Sequence, residues 1–345
     1  MFTIFRLSMN ACRECLREPV FYLMLLSALI MIGLFPYFSM FVFRQQIRLV
    51  CDSSMATTLL FGLFAAVLCS ARTISREMKN GTVLLLMSKP VSRFSFVISK
   101  ICGILVTLTL FVFICNAATW LSVLIAVDQF RLSTPLLYLY FGAIGLAALF
   151  GGVRNFISQK SFSSNAVIAM AVLFPIIAVV AHIIRMRTLS DYLLTDPETF
   201  MAAGVLLPAL CMLFFAVWIM GVISSALATR LEIVGNLMVC LTIFLIGMVL
   251  HYFASSVFSS SILAEIIERL GLGDPATVGS VGALFCTSLV PNWQLFWMAD
   301  VLANRVHIPV EYFVWTLVYS VLYCTAWIGW AFFLFRDSEL ARDTR

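Results

Sequence analysis

Charged residues are scarce in this chain of 345 residues: Asp, Glu, Lys and Arg make up 11% of it, against 62% hydrophobic residues. Soluble domains carry about a quarter charged residues and about half apolar ones. The mean hydropathy of +1.05 reflects the same imbalance. A soluble globular domain is therefore excluded, and the composition is typical of a chain that lies mainly in lipid.

The sequence also lacks a recognisable catalytic site. The phosphate-binding pattern G-x-x-x-x-G-K-[ST] does not occur, so we do not expect the chain to hydrolyse ATP by itself. Only three histidines are present, and we interpret His182, His251 and His307 as interfacial or packing residues rather than metal ligands. We predict no catalytic residue, no metal site and no cofactor bound by this chain.

Long stretches without Asp, Glu, Lys or Arg indicate transmembrane helices, because crossing a bilayer core takes about 20 apolar helical residues. Nine such stretches occur, at 19–43, 53–71, 101–127, 132–153, 161–184, 199–229, 233–264, 275–299 and 312–335. They are continuously apolar and do not alternate as barrel strands do, so they predict an all-α helix bundle. Eight are predicted to span the membrane. In the remaining one, 275–299, glycines and a proline interrupt a short apolar part, and this segment is predicted to dip into the outer interface.

The distribution of Lys and Arg predicts the orientation, because basic residues favour the cytoplasmic side. With eight spans and the N-terminus inside, fifteen basic residues fall in inner segments and seven in outer ones. Both termini are therefore predicted to be cytoplasmic, in a multi-pass protein of the bacterial inner membrane. The net charge of +5 follows from inner-facing residues that meet membrane lipid, so no nucleic-acid partner is expected.

The ten cysteines are scattered, and most fall in apolar stretches, where cysteine behaves as a small apolar residue. Cys12 and Cys15 form a lone CxxC without a second pair or a histidine cluster nearby. We interpret this CxxC as helix packing rather than a metal or redox site. Cys51 and Cys286 both fall on the predicted outer side, and the spacing leaves a disulfide between them open.

The chain is divided into three regions. Residues 1–19 are predicted to form an amphipathic helix on the cytoplasmic membrane surface, because apolar and basic side chains recur on adjacent faces at helical spacing. The apolar face of this helix holds Phe5, Met9, Cys12 and Leu16. Residues 20–335 form the transmembrane domain, with a cytoplasmic loop at 72–100 and an outer loop at 255–311. Residues 336–345 form a cytoplasmic tail.

The loop at 72–100 has the strongest local pattern. Asn80-Gly81 predicts the end of a helix, because glycine readily adopts the left-handed conformation that follows a helix C-terminus. A short helix over 83–87 is predicted next, and Pro90 ends it. The residues of this transverse helix are too apolar to face water, so they are expected to meet lipid, the rest of the protein or a partner.

Two patterns carry a resemblance to a known family. The first is Ile74-Ser75-Arg76-Glu77, then Asn80-Gly81-Thr82, then Pro90-Val91-Ser92-Arg93 and Lys100. The second is Val290-Pro291-Asn292 ahead of a last span that ends in Phe335-Arg336-Asp337. In these patterns, and in its amphipathic N-terminal helix, the chain resembles the permease subunits of type-2, export-class ABC transporters.

The resemblance implies that the transverse helix is a coupling helix that docks on a separate ABC ATPase subunit, which hydrolyses the ATP. The residues to which it assigns this coupling are Glu77, Lys79, Asn80, Gly81, Thr82, Leu84, Leu85, Pro90 and Arg93. It further implies a homodimer or heterodimer of permeases. The family usually has six spans, and the extra pair counted here is placed between 132 and 224.

The predicted function is therefore that of a permease subunit, which forms the membrane pathway of an ATP-driven exporter. Two alternatives remain: a membrane-embedded assembly or signalling component, and an ion-coupled secondary carrier. The carrier is disfavoured because such proteins usually have charged residues deep within their spans, and this sequence has none there. The spans offer only apolar and hydroxyl side chains, which do not indicate a substrate.

Overall fold

The computed structural model describes residues 2–42, 46–77, 93–126, 132–192, 198–258, 288, 290–298 and 308–343. Within these residues the chain forms nine α-helices and no strand. They are α1 (Phe2–Arg17), α2 (Pro19–Ser39), α3 (Gln46–Ser70), α4 (Arg93–Ala126), α5 (Thr134–Ser158), α6 (Phe162–Tyr192), α7 (Glu198–Leu227), α8 (Ile233–Phe258) and α9 (Val310–Asp343). A π-helical turn, Ala71–Ser75, continues α3, and a 3-10 helix, Trp293–Phe296, precedes α9.

All these helices except α1 are long and apolar enough to cross a membrane, which gives eight candidate spans in the described residues. The predicted all-helical bundle with eight spans is confirmed. Several helices extend beyond the uncharged stretches. For example, α3 begins at Gln46 and includes Arg48 and Asp52, which form an i, i+4 ion pair of 3.6 Å. Likewise α9 continues to Asp343, so most of the predicted tail at 336–345 is helical.

Helices α3, α4 and α7 form the centre of the bundle. In their spans 78%, 61% and 72% of the residues are buried inside the protein, against 17% in α8 and 11% in α9. α5 and α6 pack on each other and on one side of α2 and α4. The peripheral helices therefore leave most of their apolar surface to lipid or to other subunits.

A proline in α2 is compensated by a serine of α4. Pro36 lies inside α2 and has no N–H with which to bind the carbonyl oxygen of Ile32, four residues before it. Ser122 of α4 donates a hydrogen bond of 2.8 Å to that oxygen. Because lipid offers no alternative donor, this bond satisfies a backbone group that the proline has freed.

We expect Ser122→Ala to lower the free energy of unfolding by about 1 kcal/mol, since it leaves the freed carbonyl without its donor. Pro36→Ala is the matched background, because an alanine at this position restores the helical donor. Denaturation in detergent should show a smaller cost of Ser122→Ala in that background. Equal costs in both backgrounds would contradict the compensation.

The segment predicted to dip into the membrane is described at 288 and 290–298. Tyr323 of α9 donates a hydrogen bond of 3.2 Å to the carbonyl oxygen of Ser288. Since Tyr323 follows the first residue of α9 by thirteen positions, Ser288 lies about 20 Å along that helix. Gln294 binds the carbonyl oxygen of Met248 in α8 at 2.9 Å. The segment thus enters the bundle between α8 and α9.

Candidate functional site

α1 packs closely on α4 at a glycine. A Cβ added to Gly103 would lie 2.5 Å from the carbonyl oxygen of Ser8 and 2.6 Å from the Cβ of Ala11. Both of these atoms belong to short, inflexible parts of α1, so neither could move aside alone. Gly103 therefore permits an approach between α1 and α4 that any other residue would prevent.

Part of the apolar face of α1 is buried against the protein, and the rest is exposed. Its residues Cys12 and Leu16, predicted to lie on the membrane surface, are buried against the bundle. Phe5 and Met9 are 63% and 39% exposed. The amphipathic helix is therefore present, but protein packing covers half of the face that the sequence pattern assigned to lipid.

The π-helical turn at the end of α3 is largely buried and packs beside α1. The backbone N–H of Arg76 binds the carbonyl oxygen of Ala71, five residues before it. The hydroxyl of Ser75 donates a 3.4 Å hydrogen bond to the carbonyl oxygen of Leu231, in the turn between α7 and α8. Such single π turns are common at functional sites. Here the turn is followed by Arg76, Glu77 and the segment 78–92.

A lysine joins the three elements around this segment. Lys100 of α4 is 4% exposed, and its Nζ lies 2.6 Å from Oε1 of Glu77, which follows the π turn. The same Nζ lies 3.8 Å from Oε2 of Glu14 in α1. Lys100 is buried and the two carboxylates are partly exposed, so removing the lysine would leave both carboxylates without their shared cation.

A second ion pair connects α1 to the end of α3. Nε of Arg72, in the π turn, lies 3.7 Å from Oε2 of Glu18, at the break between α1 and α2. Ion pairs therefore join α1, through Glu14, to the helix that leaves segment 78–92, and the residue directly after α1, Glu18, to the end of the helix that enters it. We call the residues Glu14, Glu18, Arg72, Glu77 and Lys100 the charged cluster.

The charged cluster borders an open pocket of about 550 Å³, lined by Asn10, Arg13, Glu14, Arg17, Glu18, Pro19 and Glu77. Burial raises the pKa of the Glu14 carboxyl above its usual value, and the positive charge of Lys100 opposes this shift. Lys100 therefore favours the ionised form of a carboxylate that burial would otherwise tend to protonate.

The residues predicted to couple the chain to an ATPase are only partly described. Glu77 is described and forms the ion pair with Lys100, whereas Arg93 is the first residue of α4. The others, Lys79, Asn80, Gly81, Thr82, Leu84, Leu85 and Pro90, lie outside the described residues. Their role in coupling stays a prediction.

Sequence reasoning missed Glu14, Glu18 and Arg72 as members of this site. Their partners are distant in the chain, so no local spacing reveals them. One signal was available: Glu14 and Glu18 are acidic residues next to the basic face of an amphipathic helix. Carboxylates there indicate that part of the helix faces cations of the protein.

The CxxC of α1 is packed inside the protein. Cys12 and Cys15 are buried, and Sγ of Cys15 lies 4.0 Å from the carbonyl oxygen of Cys69 and 3.7 Å from Oγ1 of Thr73. A hydrogen bond from the Cys69 thiol lowers the pKa of Cys15. The described residues hold no group of three or more His, Cys, Asp or Glu side chains that could bind a metal. Cys51 is buried in α3, and Cys286 lies outside the described residues.

The helix bundle and its ion-paired N-terminal helix define a polytopic helical membrane protein. A family model described as "ABC-2 family transporter protein" matches residues 31–192, a little under half of the chain. The matched region runs from α2 to α6 and includes the loop at 72–100. The resemblance to ABC-2 type permeases is thus confirmed over this part of the chain. Searches of the curated proteins and of the solved structures found no match.

Proposed function

We propose that this chain is the permease subunit of an ATP-driven exporter, and that residues 83–87 dock on a separate ATPase subunit. The observation that supports this proposal is the charged cluster. It binds α1 to both helices that flank segment 78–92, so a displacement of that segment would move three elements together.

The packing of the flanking helices suggests how such a displacement would reach the pathway. α3 and α4 are among the most enclosed helices of the bundle, with 78% and 61% of their span residues buried. Close-packed helices shift as rigid bodies rather than deform. ATP binding by the partner would therefore act on α3 and α4 through the segment between them, and these helices would transmit the motion to α7.

The rest of the transporter follows from the same proposal. The chain has no phosphate-binding loop, so ATP is bound and hydrolysed by the partner subunit. Two permeases, identical or different, would assemble with two ATPase subunits. The end of the bundle that holds the charged cluster would face the cytoplasm of a bacterium, together with both termini.

Leu85→Asp tests the docking of residues 83–87. It would place a charge in the centre of the proposed interface, and the loss of a central anchor typically costs an interface about 2 kcal/mol or more. We expect the variant to insert into the membrane at the wild-type level but to lose co-purification with the ATPase and ATP-driven transport.

The matched control is Ile157→Asp, which adds the same charge at a side chain that is 74% exposed in the last turn of α5. This control should retain the ATPase. If Leu85→Asp keeps the ATPase and instead weakens membrane insertion, residues 83–87 lie on lipid and the docking proposal is wrong.

A further inference from the structure

The side of α1 that faces away from the bundle carries an apolar edge beside a basic one. Phe5 and Met9 are exposed, and Arg6, Arg13 and Arg17 are exposed on the adjoining strip of the helix. At 100° per residue these five side chains occupy about a third of the helix surface. A helix with this arrangement lies at a membrane surface, with its apolar edge among acyl chains and its basic edge among headgroups.

The pocket beside the charged cluster opens at the level of this exposed side of α1. It is lined by Arg13 and Arg17 on one side and by Pro19 at the corner between α1 and α2. Pro19 is also the first residue of the first candidate span. The pocket therefore lies where the chain enters the membrane, with a volume of about 550 Å³ that accommodates a polar headgroup.

The carboxylates that line this pocket already have cationic partners. Glu18 is paired with Arg72, and Glu14 and Glu77 share Lys100. Arg76 adds a further positive charge that acts on Glu14.

Arg13 and Arg17, in contrast, are paired with no carboxylate of the described part of the chain. The pocket lining itself holds these two arginines and three glutamates. Because Arg72 and Lys100 already pair with the glutamates, the charges of Arg13 and Arg17 remain to attract an anion.

We infer that this pocket binds the phosphate group of an anionic phospholipid headgroup, and that Arg13 and Arg17 are its ligands. Residues four apart on a helix have their Cβ atoms about 5–6 Å apart, which allows both guanidinium groups to reach one phosphate. Arginine binds phosphate through paired N–H donors with a geometry that lysine lacks. The exposed Phe5 and Met9 identify lipid rather than solution as the source of the phosphate. This inference does not depend on ATPase coupling.

The experiment compares lipids retained by the purified chain in native mass spectrometry and their affinities in titrations. The chain is presented with mixed micelles of phosphatidylglycerol, with phosphatidylcholine, or with inorganic phosphate alone. We expect phosphatidylglycerol to bind, and Arg13→Gln with Arg17→Gln to weaken it about thirtyfold, from the usual contribution of each basic residue at an anionic surface.

The control is Arg154→Gln with Lys160→Gln, which removes two exposed basic residues around the turn between α5 and α6. This turn lies at the same end of the bundle, since Ser163 donates a hydrogen bond to the carbonyl oxygen of Arg17. We expect the control to bind phosphatidylglycerol as the wild type does. Arg13→Lys with Arg17→Lys keeps the charge, and it should bind more tightly than the glutamine variant but less tightly than the wild type.

Three outcomes would overturn the inference. Equal weakening by the two glutamine pairs would show general attraction to a basic surface rather than a site. Unchanged binding in Arg13→Gln with Arg17→Gln would place the lipid elsewhere. Displacement of phosphatidylglycerol by millimolar inorganic phosphate would assign the site to phosphate from solution. A monodisperse elution profile establishes that each variant is folded.

Discussion

Lys100→Met should lower the free energy of unfolding by about 3 kcal/mol, the low end of the cost of breaking a buried ion pair. Lys100 is 4% exposed and lies between the carboxylates of Glu77 and Glu14. Methionine keeps much of the side-chain volume but leaves those two carboxylates facing each other. Because both carboxylates are partly exposed, water screens some of their repulsion, which places the expected cost at the low end of the range.

The same substitution should abolish ATP-driven transport if the charged cluster transmits motion from segment 78–92. Without Lys100, α1 and the end of α3 lose the cation that links them to α4. The ATPase should still co-purify, because residues 83–87 are unchanged. Retained association with lost transport would therefore separate a transmission defect from a docking defect.

A double variant tests whether the negative charge of Glu77 causes part of the loss of stability in Lys100→Met. In Lys100→Met with Glu77→Gln one of the two negative charges is gone, and we expect the double variant to regain part of the lost stability. Lys160→Met, at the exposed turn between α5 and α6, is the matched control and should be neutral. If thermal melting finds Lys100→Met as stable as wild type, the ion pairs of Lys100 do not stabilise the fold, which would contradict this prediction.

The number and type of spans could be predicted from the sequence because lipid imposes a simple rule. A spanning segment must satisfy its own backbone and carry few charges, so eight of the nine stretches without Asp, Glu, Lys or Arg coincide with candidate spans. The ends of the helices do not follow that rule. Outside the hydrocarbon core charges are tolerated, and α3 therefore begins at Gln46, ahead of Arg48 and Asp52.

The charged cluster could not be predicted in the same way. Lys100 contacts two carboxylates that are distant in the sequence. Glu77 precedes it by 23 residues, and Glu14 lies on the N-terminal helix. Helical periodicity relates residues three or four apart and contains no information on which helices meet. The packing of α1 and of the end of α3 on α4 brings these side chains together.

The apolar face of α1 also shows that helical periodicity does not reveal which surface a helix meets. Its spacing predicted an amphipathic helix correctly, because any helix with one apolar face has that spacing. The pattern does not distinguish a face covered by lipid from one covered by protein. Cys12 and Leu16 are covered by protein, whereas Phe5 and Met9 are exposed.

Gly103→Ala is expected to lower the free energy of unfolding by up to as much as Lys100→Met, although it adds a single methyl group. The new Cβ would lie 2.5 Å from the carbonyl oxygen of Ser8 and 2.6 Å from the Cβ of Ala11. Neither atom belongs to a long side chain that could rotate away, so α1 as a whole must move outward from α4. Overpacking of this kind typically costs about 1–3 kcal/mol.

The displacement of α1 should also lengthen the contact between Glu14 and Lys100, because both contacts join the same two helices. Gly142→Ala is the matched control, since a Cβ at Gly142 of α5 meets nothing within 4 Å. Alanine favours helix over glycine by about 1 kcal/mol, so the control should be neutral or slightly stabilising. Thermal melting and a spin-label distance between α1 and α4 distinguish the two variants. Because the control carries the same chemical change, a melting temperature that falls only in Gly103→Ala, with a longer distance, would locate the cost at the α1–α4 contact. Equal behaviour of the two variants would mean that α1 is not held against α4 by this glycine.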